Sequence, residues 1–380
     1  MSKNHEVYKD ALPISLAYPL PPIILTNPLT WIPYIYRYLF RKTPRQVQWQ
    51  CQLHESDLSC VVTDSEAIKK FWTSGFFGKG NLSRSEPTWH TRTKRSLGLL
   101  GFDEDLVAEE VTARRRFQRK QFKAQRAYRE NRARERQLLL ENGKPIPASL
   151  EEDAELPEYL TKSLKDFSRV SENPYHITSV PNVEHLQLTF PEAFFLASLG
   201  VLRINYENPN FELLPILKLF ANIVANSVAL THDYSLQQSH EDPIIEPDNK
   251  FLTELAAYFY FRQQGWVVKN GTKFSVDFLL YKKGPVFSHA EFAILLIPCV
   301  GNKQKYNMQW HEVHCLNRVI AQVKKSLILC YVQCPSIEDF NKIWKNQASM
   351  NEWDWAESVL RQYLIRCVTL RRWVPSRNRD

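Results

Sequence analysis

Three side chains in the C-terminal third of the chain belong to types that move protons and hold charge: the phenol of Tyr281, the imidazole of His289 and the ammonium of Lys325. In KFSVDFLLY, period-two alternation predicts a strand with Phe274, Val276, Phe278 and Leu280 on one face. Ser275, Asp277, Leu279 and Tyr281 take the other. Tyr281 closes this strand, KKGPVFS turns the chain, and His289 is expected to open the next strand. A connection of that length can return the imidazole to the phenol. In the following segment Val313, Leu316, Ile320, Val323 and Leu327 recur at intervals of three and four, the core face of a helix. Arg318 and Lys325, seven apart, should share its polar side. The three elements can then converge on one end of a sheet. Each residue also has an ordinary use: a tyrosine at a strand end packs half-buried, and a lysine in a last helical turn complements the helix dipole. Spacing alone therefore does not make them a site.

Two other chemistries compete for the same stretch. Asp277 and Glu291 on adjacent strands could hold Mg²⁺ for a metal-dependent nuclease. Such sites usually place a lysine two residues after the second acid, and Ala293 stands there. A zinc set of His311, His314 and Cys315 with Cys330 or Cys334 fits no standard spacing, and Cys330 lies in a strand where small thiols pack.

The elements that would position these residues separate on composition. Residues 1–105 form an α+β region: a Pro-rich arm, Asn27-Pro28 as helix start, the aromatic TWIPYIYRYLF, then VQWQCQL and LSCVVT as a hairpin or sheet edge. It ends in SGFFGKGNLSRSEPTWHTR, whose glycine spacing is too loose for a phosphate loop and suits a tight turn that packs two aromatics. Residues 106–142 contain neither Gly nor Pro and predict a long helix. Residues 143–182 read as a linker and 183–247 as a small α-rich domain. From 248 to 380, an amphipathic helix ending at Gly265 precedes WVVKN, KFSVDFLLY, AEFAILLI, a helix and SLILCYV, the order of an α/β domain with a mixed sheet.

Charge is concentrated in the long helix. The 380-residue chain has a formal net charge of +8, yet the stretch from Val111 to Arg136 holds eleven Lys/Arg against two acids and carries +9 by itself. Displaced counterions make such a helix, with Arg115, Arg119 and Lys123 on it, a sequence-independent backbone binder for RNA. The tail adds Arg371, Arg372, Trp373 and Arg377, cations beside an aromatic, suited to phosphate contact and base stacking. Seven cysteines and an N-terminus without an apolar core point to free thiols in a reducing compartment. The apolar run from Leu213 to Leu230 is broken by Pro215, Lys218, Asn222 and Asn226, so no transmembrane span is expected, and peripheral membrane contact stays open.

GTKFSVDFLLYKKGPVFSHAEFAILL followed by RVIAQVKKSLILCYV resembles the signature of the tRNA-intron endonuclease family, most closely at Tyr281, Gly284-Pro285, His289-Ala290-Glu291-Phe292 and Lys324-Lys325. SGFFGKGNLSRSEPTW and the terminal RRWVPSRNRD resemble segments of that family's large fungal catalytic subunit, which cuts the 5′ exon–intron junction. The resemblance implies a metal-free, cofactor-free endoribonuclease of pre-tRNA with Tyr281 as general base, His289 as general acid and Lys325 as electrostatic stabiliser. Lys325 would also lower the phenol. Arg318 and Trp373 become candidates for clamping a splice-site base. A scaffold subunit without chemistry would lack the three residues. The resemblance further implies a heterotetramer of two catalytic and two structural subunits, with direct strand pairing to the large structural partner. It places the protein in the nucleus or on the cytosolic face of the mitochondrial outer membrane.

Overall fold

A computed structural model describes residues 49–83, 86–100, 108–142, 179–206, 215–232, 245–301, 303–304 and 308–371. The Pro-rich arm with Asn27-Pro28, most of the 143–182 linker, and Arg372, Trp373 and Arg377 lie outside them. The described residues form two compact units, one from the segments up to Pro87 and from His185 onward, the other Thr88–Glu184.

In chain order the elements begin with β1 (Trp49–His54), β2 (Ser59–Val62), α1 (Ser65–Thr73) and β3 (Lys79–Gly80). The second unit carries α2 (Trp89–Ser96) and α3 (Ala108–Glu141). The first unit resumes with β4 (Leu186–Thr189), α4 (Phe190–Ser198), β5 (Leu202–Asn205) and α5 (Ile216–His232). It ends with α6 (Lys250–Gln263), β6 (Val267–Asn270), β7 (Phe278–Tyr281), β8 (Phe292–Val300), β9 (Lys303–Gln304), α7 (Trp310–Gln322), β10 (Ser326–Cys334), α8 (Ile337–Lys345), α9 (Glu352–Leu360) and β11 (Leu364–Leu370).

The expected hairpin forms, with β1 and β2 antiparallel and Gln52 opposite Val61. The segment expected to be α-rich contributes two strands as well: β4 pairs β2 and β5 pairs β1, giving the sheet order β3-β4-β2-β1-β5. In β4 the pattern alternates buried and half-buried, which a helical reading of an apolar run overlooks. A Thr189 cap follows, its N–H donating to Glu192 Oε2 at 3.1 Å, and turns the strand into α4.

The second sheet runs β11-β10-β8-β7-β6, with β9 on β8. Helix α6 is apolar on most of its surface (Phe251, Leu252, Leu255, Tyr258 and Phe261 are buried) because it packs on α4 and α5 as well as on this sheet. Phe278, Leu280, Ile294, Ile328 and Cys330 of the sheet join that large core. The opposite face, with Leu279, Ala293, Ile297, Leu327 and Leu329, packs on Ile320 and Leu316 of α7. The sheet is thus covered on both sides, which explains its near-continuous apolar strands.

Two expectations shift. KFSVDFLLY is a strand only from Phe278: Thr272–Phe274 is a 3₁₀ turn and Ser275 is left-handed at φ 55°. The slip puts Val276 with Leu279 and Tyr281, away from Phe278 and Leu280. Helix α7 ends at Gln322, so Val323 is exposed and Leu327 is a strand residue. Helix α5 buries Leu217, Leu219 and Phe220, and no helix among the described residues is long and apolar enough to cross a membrane.

In the second unit, α3 spans 34 residues, about 51 Å at the usual rise. Arg119 and Lys123 on it are exposed and Arg115 is half-buried. Near α2, the Trp89 N–H donates to Glu184 Oε2 at 2.8 Å, and His90 Nε2 bonds the Val180 carbonyl at 2.9 Å.

Candidate active site

Strand direction decides which chain ends meet. β7 runs antiparallel to β8 with Leu280 opposite Phe292, and β8 runs parallel to β10 with Phe292 opposite Ser326. β10 is antiparallel to β11, with Leu327 opposite Leu370. The end of β7, the starts of β8 and β10 and the end of β11 therefore share one sheet edge. Tyr281 is the last residue of β7, and Lys325 immediately precedes β10. Arg371 immediately follows β11. His289 stands three residues before β8, in the connection and not at the strand start as expected. The edge is stitched by backbone bonds: the Glu291 N–H donates to the Leu280 carbonyl and the Ser326 N–H to the Glu291 carbonyl, both at 3.0 Å.

Tyr281 is half-buried against Val276, Leu279 and Ala290, while His289 is exposed. Burial raises the Tyr281 phenol above its ordinary value of 10.0. That direction is opposite to the expected lowering by Lys325. The reason is where the lysine goes. Lys324 is left-handed at φ 56°, and the Lys325 N–H returns to the Ile320 carbonyl at 3.2 Å, so Lys325 sits in a tight turn and not in a helical turn above Arg318. Its ammonium lies 5.2 Å from the centroid of Phe274, a ring that packs in the same core as Tyr281. Arg318 is exposed on α7.

Asp277 and Glu291 do not meet. Asp277 lies at the far end of β7, where its Oδ2 accepts the Leu296 N–H at 2.7 Å. Burial raises this carboxyl, and the Leu296 bond opposes the shift. It lines a cavity of about 420 Å³ with Glu246, Asp248, Lys250 and Glu254. Glu291 is at the Tyr281 edge, about 13 Å away along a four-residue strand. One ion cannot bridge them. Among the described residues no three His, Cys, Asp or Glu side chains are grouped to hold a metal, which dissolves the zinc set: Cys330 and Cys334 are buried in β10 and Cys315 is exposed on α7.

The turn that carries His289 rests on a residue that spacing did not connect to it. Gly284 has φ 118°, and a Cβ there would fall 2.2 Å from Cε2 of Phe76, in the loop after α1. The SGFFGKG loop is indeed a tight turn that buries Phe76 and Phe77.

A family model described as tRNA intron endonuclease, catalytic C-terminal domain, matches residues 251–338. The chain is 29% identical over 395 residues to tRNA-splicing endonuclease subunit SEN2 of Saccharomyces cerevisiae, covering 99% of this chain and 98% of that one. It is 30% identical over 371 residues to the subunit of that name in Eremothecium gossypii, covering 95% and 94%. To tRNA-splicing endonuclease subunit Sen2 of Rattus norvegicus it is 35% identical over 212 residues, 55% of this chain and 37% of the relative.

Proposed function

Because the chain belongs to the tRNA-splicing endonuclease subunit SEN2 family, and with it to an endoribonuclease family with a catalytic C-terminal domain, we propose that it makes the 5′ splice-site cut in intron-containing pre-tRNA without a metal ion. The observation that supports this most is the strand register that brings Tyr281, the His289 connection and Lys325 to one sheet edge. The nucleophile is the substrate's own 2′-hydroxyl. Tyr281 takes its proton as it attacks the adjacent phosphorus, the bond to the 5′-oxygen breaks, and His289 protonates that oxygen. The products are a 2′,3′-cyclic phosphate and a 5′-hydroxyl. Lys325 holds the charge that accumulates on the non-bridging oxygens.

Arg371 stands at the same sheet edge as Lys325 and adds a second cation where the phosphate is handled. β11 is an edge strand with Leu364 and Val368 half exposed, a surface suited to strand addition by the large structural subunit within a heterotetramer. We place the assembly in the nucleus or, by peripheral association, on the cytosolic face of the mitochondrial outer membrane. Assaying the assembled complex on pre-tRNA tests the reading: Tyr281→Phe or His289→Ala removes 5′-junction cleavage, leaves assembly intact, and wild-type cleavage persists in EDTA. Normal 5′ cutting by either variant, or loss of wild-type cutting in EDTA, refutes it.

A further inference from the structure

The SGFFGKG loop is held far more firmly than a surface turn needs. Arg262 Nη2 donates to the Gly75 carbonyl at 3.1 Å, with its guanidinium 4.4 Å from the Phe77 ring. Lys269 Nζ donates to the Phe76 carbonyl at 2.7 Å and also to the Gly78 carbonyl. Glu192 Oε1 accepts the Gly78 N–H at 3.1 Å and lies 3.8 Å from the Lys269 ammonium. Three charged side chains, two of them on the catalytic domain, thus fix one short backbone. The same loop ends α1 in a left-handed cap: the Phe76 N–H donates to the Trp72 carbonyl at 3.0 Å and the Phe77 N–H to the Phe71 carbonyl at 3.1 Å, with Phe76 at φ 58°, a region uncommon for a bulky side chain.

The ring so presented lies on the turn that delivers His289. Phe76 covers the α-carbon of Gly284, and it makes an edge contact with Phe287 at 6.4 Å between centroids. The turn is closed by the Phe287 and Ser288 N–H groups donating to the Gly284 carbonyl at 3.1 and 3.3 Å. His289 is the next residue. On its other side Ala290 is buried and the Glu291 N–H donates to the Leu280 carbonyl at 3.0 Å, so the turn defines the side of the exposed imidazole that these leave open.

We infer that Phe76 is a positioning residue for His289: strained backbone in the N-terminal segment aims a buried ring at the two residues that open and close the proton donor's turn. This rests on the proposed role of His289 as the general acid. It also gives SGFFGKG a use beyond packing its two aromatics, as a brace for the catalytic edge supplied from outside the catalytic domain.

The test separates a proton-donor defect from general damage. The full-length chain in the assembled endonuclease is assayed on two pre-tRNAs, one ordinary and one with sulphur replacing the 5′-bridging oxygen of the scissile phosphate. A thiolate, with a pKa near that of cysteine at about 8.5, leaves without a proton. Phe76→Gly accepts the left-handed backbone and removes only the ring. It should lower kcat on the oxygen substrate by roughly 10–100-fold, the cost of an ångström-scale misplacement, with KM within about twofold. On the sulphur substrate it should match wild type. Phe287→Ala, which carries no backbone strain, should show the same pattern more weakly. Equal slowing of Phe76→Gly on both substrates, or no slowing on either, overturns the inference. His289→Ala runs beside it: failure of sulphur to restore that variant overturns the acid role itself, a result distinct from failure of Phe76→Gly alone.

Discussion

The acidic cavity at the far end of β7 makes a quantitative claim through Glu254. The side chain is only 25% exposed, and Lys250, 3.9 Å away, is itself 70% exposed and a weak partner. Burial first, then Asp277 across the cavity, push the Glu254 carboxyl from 4.5 up to about 7 against the pull of Lys250. The folded value lies above the unfolded one, so the stability tied to this proton is fully present below pH 4.5 and is lost as pH rises to about 7. At 1.36 kcal/mol per unit the whole effect approaches about 3 kcal/mol, and partial exposure reduces it to about 2. Glu254→Gln keeps the shape and removes the titration. Urea unfolding of wild type and variant at pH 5 and pH 8 should give near-equal stabilities at pH 5. At pH 8 the variant should be ahead by about 2 kcal/mol. Its RNA cleavage should be unchanged, because Tyr281 lies at the other end of β7. A stability gap that does not grow with pH, or that grows in favour of wild type, refutes the reasoning.

Other consequences follow from the same geometry. Gly284→Ala forces a Cβ to 2.2 Å from Phe76 at a φ of 118°, and should cost about 2–4 kcal/mol in urea unfolding along with slower 5′ cleavage. Replacing Arg115, Arg119 and Lys123 by Gln should flatten the slope of log K against log salt for pre-tRNA binding by about 2, with no change in which junction is cut. Leu364→Lys with Val368→Lys, on the exposed edge strand, should abolish co-purification of the large structural subunit while the chain's own unfolding midpoint stays put.

Periodicity recovered what burial dictates. The β1–β2 hairpin, the long basic helix, α6 up to Gly265 and strands β6, β7, β8 and β10 follow from alternation, breakers and apolar runs, while β9 and β11 are not among the expected strands. It failed where the chain changes direction. Val276 obeys the alternation of KFSVDFLLY and still falls on the other face, because the strand begins only at Phe278 and Val276 lies in the turn before it. Lys325 continues the spacing of α7 in sequence and not in space, because Lys324 breaks the helix. β4 and β5 were hidden in an apolar stretch whose pairing partners lie more than a hundred residues upstream, and no local pattern encodes such pairing. The candidate site consists of just these positions: a strand end, a connection and a turn. Resemblance located Tyr281, His289 and Lys325, and sheet register supplied the reason that the elements carrying them end at one sheet edge.

That register also constrains how the proposed chemistry can begin. Burial raises the Tyr281 phenol above its ordinary value and so favours its neutral form. A bound phosphate adds negative charge and would raise the phenol further unless a cation arrives with it. The Lys325 ammonium lies against the Phe274 ring, 5.2 Å from its centroid, and donates to the Val323 carbonyl at 3.4 Å. A short bond to a phosphate oxygen, with charge on both partners, is stronger than this long bond to a neutral carbonyl, so substrate can draw the lysine away. Its charge would then oppose both the phosphate's and the phenolate's penalty. On this account the base is competent only when the scissile phosphate is in place, and the free enzyme's sheet edge stays inert.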